Sequence, residues 1–275
     1  MRTQNDTFSM LTFLIFGDVV GKIGREALMK ALPGLKRQHK PDLTILNAEN
    51  LAHGKGVTAK ILSELRDAGV DFFTSGNHIY NNMKGATEAW ADPELKDRLV
   101  RPANFPPGMP GDGWKTLEVG GKKVLVVNLI CQVFMDKEYA NPFEAIDRIL
   151  GGLDEPVDAI LVDLHGEATS ERIAFGFHVD GRFSSVTGTH THVPTADARI
   201  LSKGTAYLTD IGMTGARFSV LGVSPEGPLS RFTAGEAKPF EIPEAGPVDL
   251  NAVVVKVDPN TRKAVSIEQI HQVIE

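Results

Sequence analysis

One cysteine, Cys131, is all that 275 residues hold, which excludes an intramolecular disulfide and fits a reducing compartment. Long hydrophobic runs are missing too. None reaches the ~18 residues that a membrane-spanning helix needs. Met1–Phe16 has neither the extended apolar core nor the small-residue cleavage site of a secretory signal. The expectation is a soluble, cytoplasmic protein with no membrane partner. Positive charge is in deficit, since 29 Lys and Arg against 35 Asp and Glu leave a net charge of −6. Such a surface offers no footprint for long nucleic acid, although a locally basic cleft is compatible with it. Internal repeats, low-complexity tracts and long charge blocks are likewise lacking. With 42% apolar and 23% charged residues, the composition excludes both a disordered chain and a coiled coil.

What the chain does have is alternation. The polar residues 1–9 read as a mobile N-terminal extension, and 10–275 as a single domain, since no linker divides it. Leu11–Phe16, Leu43–Leu46 and Asp71–Thr74 are short apolar runs of strand type. Between them, Gly24–Gln38 carries Ala27, Leu28, Ala31, Leu32 and Leu35 at helical spacing, and Thr58–Ala68 reads as a second helix. This is the rhythm of parallel strands joined by right-handed crossovers. Further on, Leu117–Val119 and Lys123–Asn128 flank Gly120-Gly121 as a hairpin, and Ala159–Val162 reads as another strand. Ala198–Leu201 with Ala206–Thr209, and Ala252–Val257 with Ala264–His271, read as two more hairpins. Phe218–Pro247, rich in Gly and Pro, reads as a long loop. Parallel units first and hairpins later predict mixed sheets.

Metal-capable side chains gather where the predicted strands end. Asp18 follows the first strand, Asn47-Ala48-Glu49-Asn50 the second and Gly76-Asn77-His78 the third. Ala159–Val162 leads to Asp163-Leu164-His165, and the strand near Ser185–Thr187 leads to Gly188-Thr189-His190-Thr191-His192. Open α/β sheets bind ligands beyond the carboxyl ends of their strands, so these five loops are expected to share one crevice. Singly, each has a plainer reading: Asp18 as a helix cap, Asn77 as a turn former, His165 as a structural histidine. His190 and His192 carry more weight, because residues i and i+2 of an extended segment face the same side. Asp18, Glu49, Asn50, Asn77, His165, His190 and His192 together offer carboxylate, amide and imidazole donors. That mixture suits borderline divalent metals better than an all-oxygen calcium or magnesium cage. Seven ligands exceed what one open catalytic ion takes, and two ions sharing a carboxylate fit the count.

These motifs resemble those of the calcineurin-like metallophosphoesterases, and more closely their YmdB-like bacterial phosphodiesterase subgroup. The likeness rests on Gly17-Asp18-Val19-Val20-Gly21, Asn47-Ala48-Glu49-Asn50, Ser75-Gly76-Asn77-His78, the stretch Asp163–Glu171, Gly188-Thr189-His190-Thr191-His192-Val193 and Thr209–Gly215, in family order. The resemblance implies an α/β fold of four layers, an αββα sandwich of two mixed β-sheets flanked by helices. It implies two divalent ions per chain, iron or manganese first, with zinc or cobalt as alternatives. Asp18, His192 and Asn50 would hold one ion and Asn77, His165 and His190 the other, with Glu49 bridging and His78 as general acid. The reaction implied is attack on phosphorus by a hydroxide between the ions, and the substrates implied are small phosphodiesters, notably 2′,3′- and 3′,5′-cyclic nucleotides. Thr189, Thr191, Thr214 and Arg217 are the candidate substrate contacts, and a homo-oligomer is left open.

The chain departs from the wider superfamily at Val20, where a ligand histidine is usual, and at Glu49, where an aspartate is; both are subgroup traits. It departs from the subgroup at Ala216 and Phe218, where Pro and Asp are expected, and at Cys131, where Gly is. Rival readings are a phosphomonoesterase or nucleotidase on the same chemistry, an amidohydrolase, and a non-catalytic metal- or nucleotide-binding regulator. The amidohydrolase reading suffers because its His-x-His pair follows the first strand, whereas His190 and His192 come late. The regulator reading requires a decayed ligand set, which is not seen.

Overall fold

The computed structural model describes residues 10–135, 138–236 and 238–275, so the expectation for residues 1–9 lies outside the described residues. The chain opens with β1 (Leu11–Asp18), eight buried residues in a row. Its side chains alternate between two cores, Phe13 and Ile15 facing one and Leu14 and Phe16 the other. The strand is thus sandwiched from both sides, which is why its sequence is continuously apolar. α1 (Gly21–His39) begins three residues before the expected Gly24. β2 (Leu43–Asn47), α2 (Ala59–Asp67) and β3 (Phe72–Thr74) follow, α2 being capped by the Thr58 hydroxyl, which accepts from Ile61 N at 3.2 Å. A 3-10 turn at Ile79–Asn82 leads into α3 (Met83–Ala91).

β4 (Trp114–Val119) and β5 (Lys122–Ile130) form the predicted hairpin, with Gly120 and Gly121 both at positive φ. Only that conformation matches the twist of the two strands, and glycine adopts it without strain. Then come α4 (Pro142–Gly151), β6 (Ala159–His165), α5 (Thr169–Val179) and β7 (Ser185–Thr189). β8 (Arg199–Ile200), β9 (Ala206–Leu208), β10 (Gly215–Ala216) and α6 (Glu226–Ala234) are short. The long hairpin of β11 (Val248–Asp258) and β12 (Lys263–Ile274) closes the chain.

The first sheet runs β10-β11-β1-β2-β3, with β12 also paired to β11; β1, β2 and β3 are parallel and β11 is antiparallel to β1. The second runs β4-β5-β6-β7-β9-β8, and β5, β6, β7 and β9 are all parallel. The three expected hairpins, β4–β5, β8–β9 and β11–β12, are all present, and the later half adds a parallel core that the sequence reading did not foresee. α4 and α5 serve as crossovers there, as α1 and α2 do in the first sheet. The sheets pack through Phe13, Ile15, Leu43, Ile45 and Val255 of one against Val124, Val126, Leu161 and Leu208 of the other. Outer cores join α1, α2 and α3 to the first sheet and α4 and α5 to the second. Four αββα layers result, as the resemblance implies.

The stretch read as a continuous loop holds α6. Pro228 sits in its first turn, where the missing N–H would have no partner anyway, and Gly235 closes it at φ 69°. Among the described residues, no helix is long and apolar enough to cross a membrane.

Candidate metal centre

Parallel strands deliver their carboxyl ends to one edge, and there the polar residues meet. Asp18 ends β1, Glu49 and Asn50 follow β2, Asn77 follows β3, His165 ends β6, and His190 and His192 follow β7. The two sheets are tied at this edge, where the His190 backbone N–H donates to Asp18 Oδ2 at 2.9 Å. Asp18, Glu49, Asn50 and His165 are all buried.

One group of donors surrounds His165 Nε2. Asn77 Oδ1 lies 2.8 Å from it, His190 Nδ1 3.0 Å and Glu49 Oε1 3.3 Å. The ligand atoms of Glu49, His165 and His190 fall within 4.8 Å of one another. A second group adjoins it through Asn50, whose Nδ2 is 3.2 Å from His192 Nε2, 3.3 Å from Glu49 Oε1 and 3.4 Å from Asp18 Oδ1. Ligation by Asn50 Oδ1 requires the amide to turn over. Glu49 stands between the groups, and its Oε2 accepts from the His78 amide at 2.9 Å.

The three imidazoles are each held by the nitrogen that faces away from the centre. His165 Nδ1 lies 2.9 Å from Thr189 Oγ1, and that hydroxyl donates at 2.6 Å to Asp163 Oδ1. With its own proton spent on Asp163, Thr189 accepts from His165, which turns the Nε2 lone pair inward. Asp163 is itself fixed by Thr74 Oγ1 at 2.5 Å and Asn47 Nδ2 at 2.9 Å. His192 Nδ1 donates to the Leu221 carbonyl at 2.8 Å, and His190 Nε2 lies 3.3 Å from Glu167 Oε2. Such outer partners fix the tautomer and ring orientation of metal-binding histidines.

Burial and close neighbours perturb the titration of Asp18, Glu49, His165 and His190. Burial raises the Asp18 carboxyl to about 6, against the attraction of His192 and His165. Burial pushes Glu49 the same way, yet the charge and hydrogen bond of His165, with the His78 amide, bring it down to about 2. Burial would lower His165, but the Glu49 carboxylate raises it to about 9; His190 is lowered to about 3 by burial and by His165. One proton on His165 cannot satisfy Asn77 Oδ1, Glu49 Oε1 and the bare His190 Nδ1 together, whereas a divalent cation does. The backbone leaves room for it at Gly76, where a Cβ would strike both the Glu49 carboxylate and the His165 ring. Donor chemistry and space both fit a metal.

His78 sits beside the centre, partly buried, with ring Nδ1 3.2 Å from Asn81 Oδ1 and Nε2 3.4 Å from Asn77 Nδ2. The four candidate substrate contacts are placed otherwise. Thr189 is buried, with its hydroxyl committed to His165 and Asp163. Thr191 Oγ1 donates to Asp210 Oδ2 at 2.8 Å. Thr214 is buried, its amide bonded to the Asp18 carbonyl and its carbonyl to Val20 N. Arg217 turns to Asp249 on β11, 2.9 Å away. The structure thus brings the seven donors and His78 together, and places these four in supporting contacts. Cys131 is buried, its backbone bonded to the His165 carbonyl, and burial pushes its thiol well above the usual range.

The sequence reading gave no role to Asp163, nor to the buried ion pair of Arg172 and Asp210 (2.7 Å) behind the His190–His192 loop. Both left a signal. Asp163 is two residues before His165 on a strand and so shares its face, and Arg172 falls in step with the buried Phe175, Gly176 and Val179 of α5.

Two packed mixed sheets whose strand ends converge carboxylate, amide and imidazole donors define a metallophosphoesterase. Within that class, residues 14–270 match the family described as YmdB-like protein, and the chain belongs to it. It is 43% identical over 260 residues to a Bacillus subtilis protein named 2′,3′-cyclic-nucleotide 2′-phosphodiesterase, covering 94% of this chain and 96% of that one. A Mycoplasma pneumoniae crystal structure described as a novel phosphatase superposes with TM-score 0.90 at 37% identity, covering 97% and 94% of the two chains. A Thermus thermophilus structure, described as a hypothetical protein, gives TM-score 0.88 at 40% identity, covering 96% and 100%.

Proposed function

We propose that this chain is a dimetal phosphodiesterase that opens cyclic nucleotides, the 2′,3′-cyclic forms first and the 3′,5′-cyclic forms as a further substrate. The observation that carries the reading is the position of Glu49 Oε1, 3.3 Å from both His165 Nε2 and Asn50 Nδ2, between two sets of donors. Asn77, His165 and His190 would hold one ion, Asp18, Asn50 and His192 the other, and Glu49 both. When bound, the pair would neutralise phosphoryl charge and sharpen the acidity of the attacking water.

The protein's own groups supply the rest. The strand-end loops hold the phosphate in one orientation, in line with the attacking water, so that positioning lowers the barrier. Water gives its hydroxyl to phosphorus and its remaining proton to solvent, from which His78 is reprotonated after turnover, and one ring P–O bond breaks. The departing alkoxide takes its proton from His78, whose ring is steadied at Nδ1 by Asn81 and whose Nε2 points toward Asn77. His78 touches Glu49 through its backbone amide, so acid and bridging carboxylate are set by one short segment. The product is a nucleotide monoester. Support from outside the site comes from the named activity of the Bacillus subtilis relative.

The test is elemental analysis of the purified protein alongside hydrolysis of 2′,3′-cyclic AMP, 3′,5′-cyclic AMP and AMP. Two equivalents of transition metal with cleavage of the 2′,3′-cyclic ester support the reading. Cleavage of AMP alone would replace it with the phosphomonoesterase reading, which the name of the Mycoplasma pneumoniae neighbour favours.

A further inference from the structure

Between the two ligand histidines lies Thr191, and what holds Thr191 leads to one buried ion pair. Asp210 Oδ2 accepts from the Thr191 amide at 3.1 Å and from its hydroxyl at 2.8 Å, while Asp210 Oδ1 accepts from Gly212 N at 2.8 Å. From the other side Arg172 Nη1 donates to the same Oδ2 at 2.7 Å, and also reaches the carbonyls of Thr209 at 2.7 Å and Thr189 at 3.2 Å. Both charged side chains are sealed, Arg172 at 1% and Asp210 at 0% exposure. Arg172 comes from the inward face of α5, a position where an apolar residue would serve stability at least as well. Gly188 makes space for it, since a Cβ there would run into the Thr209 carbonyl and crowd the guanidinium.

The pair ties the end of β7 to the residues after β9, beneath a loop in which His190 and His192 have φ of 108° and 65°. Residues with a side chain stay in that region only where their surroundings hold them there. Here the surroundings are the Asp210 carboxylate under Thr191 and the guanidinium that anchors it.

We infer that the Arg172–Asp210 pair is a positioning device for the metal centre, fixing how far apart His190 Nδ1 and His192 Nε2 are presented. It thereby sets the spacing at which two cations share Glu49. The inference rests on the dimetal reading above. Neither residue touches substrate, and neither is a ligand. Without the pair the loop relaxes toward ordinary φ, and the two imidazoles lose their common register. Glu49 and Asn77 are held by other bonds and stay in place.

Mn²⁺ binding to the purified full chain tests this by calorimetry and electron paramagnetic resonance, with thermal unfolding of each metal-free form in parallel. Asp210→Asn strands a buried guanidinium and lowers Tm, whereas the double variant Arg172→Met/Asp210→Asn removes both charges and recovers most of it. A positioning role predicts that the double variant recovers Tm but binds Mn²⁺ about 10–100-fold more weakly than wild type, with loss of the exchange-coupled signal. Arg172→Lys keeps the charge without the fork, and folds even where the neutralised forms do not; its Mn²⁺ affinity is expected to fall about 10-fold. The inference is overturned if affinity returns with Tm in the double variant, or if Arg172→Lys binds like wild type. A wild-type chain that takes up fewer than two Mn²⁺ overturns the dimetal reading itself, and this inference with it.

Discussion

Where the first sheet delivers oxygen-bearing donors to the centre (Asp18, Glu49, Asn50 and Asn77), the second delivers imidazoles alone (His165, His190 and His192). The two sides are built differently. On the oxygen side the donors stand at or just past regular strands, and their carboxylates are buried where only a cation or a proton makes them tolerable. On the nitrogen side, two of the three imidazoles are carried on left-handed backbone, which costs about 1–3 kcal/mol for each residue. That strain is offset by bracing from behind, through Asp163–Thr189 and Arg172–Asp210. Buried charge dominates one side, and braced geometry the other.

Substitutions on each side sharpen that contrast. The largest effect is expected from Glu49→Gln, which removes the one charge shared by both donor groups; metal content falls sharply and turnover drops about 10⁴-fold, roughly 5 kcal/mol. Full metal content with wild-type turnover would show that Glu49 bridges nothing. His78→Ala leaves both groups of donors intact, so on the proposed mechanism metal content should be unchanged while turnover falls about 10²–10⁴-fold, most severely for poor leaving groups. Loss of metal in that variant would make His78 a ligand instead of an acid.

Thr189→Val cuts the link from Asp163 to His165 and is expected to weaken metal binding about 10–100-fold. A change in KM at unchanged metal affinity would restore Thr189 as a substrate contact. The smallest effect lies farther back, at Asp197, whose carboxylate accepts from Thr195 Oγ1 at 2.6 Å and from Thr209 Oγ1 at 2.6 Å. Burial would raise this carboxyl, but those hydrogen bonds hold it below the usual carboxylate value, so its contribution is present above about pH 4 and is lost as pH falls through the lowered value. The stability gap between wild type and Asp197→Asn should be about 1 kcal/mol at pH 7 and shrink toward pH 3, as followed by urea midpoints. A gap independent of pH would assign it to packing.

The oxygen side was almost fully legible in the sequence, because each short apolar strand was followed at once by its metal-capable residue. Four layers followed from the resemblance, and the parallel first sheet from periodicity alone. The bracing was legible only as single positions and not as pairs. Arg172 and Asp210 lie 38 residues apart, and no local pattern joins them. Thr189 read as a substrate contact because its hydroxyl directly precedes a candidate ligand, whereas the structure shows it buried and bonded to Asp163. α6 was hidden by Gly227 and Pro228, which break helices in their middle but not in their first turn. The later strands were legible as strands, but not their parallel pairing, because β7 and β9 are short and their connections irregular.

Gly76 has a consequence of its own. The bare backbone at that position is the wall of the space in which an ion would lodge, with the Glu49 carboxylate and the His165 ring immediately beyond it. One added methyl would plug that chamber while leaving every donor atom in the chain. Gly76→Ala would therefore force the Glu49 carboxylate and the His165 ring aside, so that every donor survives in the sequence while their convergence is lost.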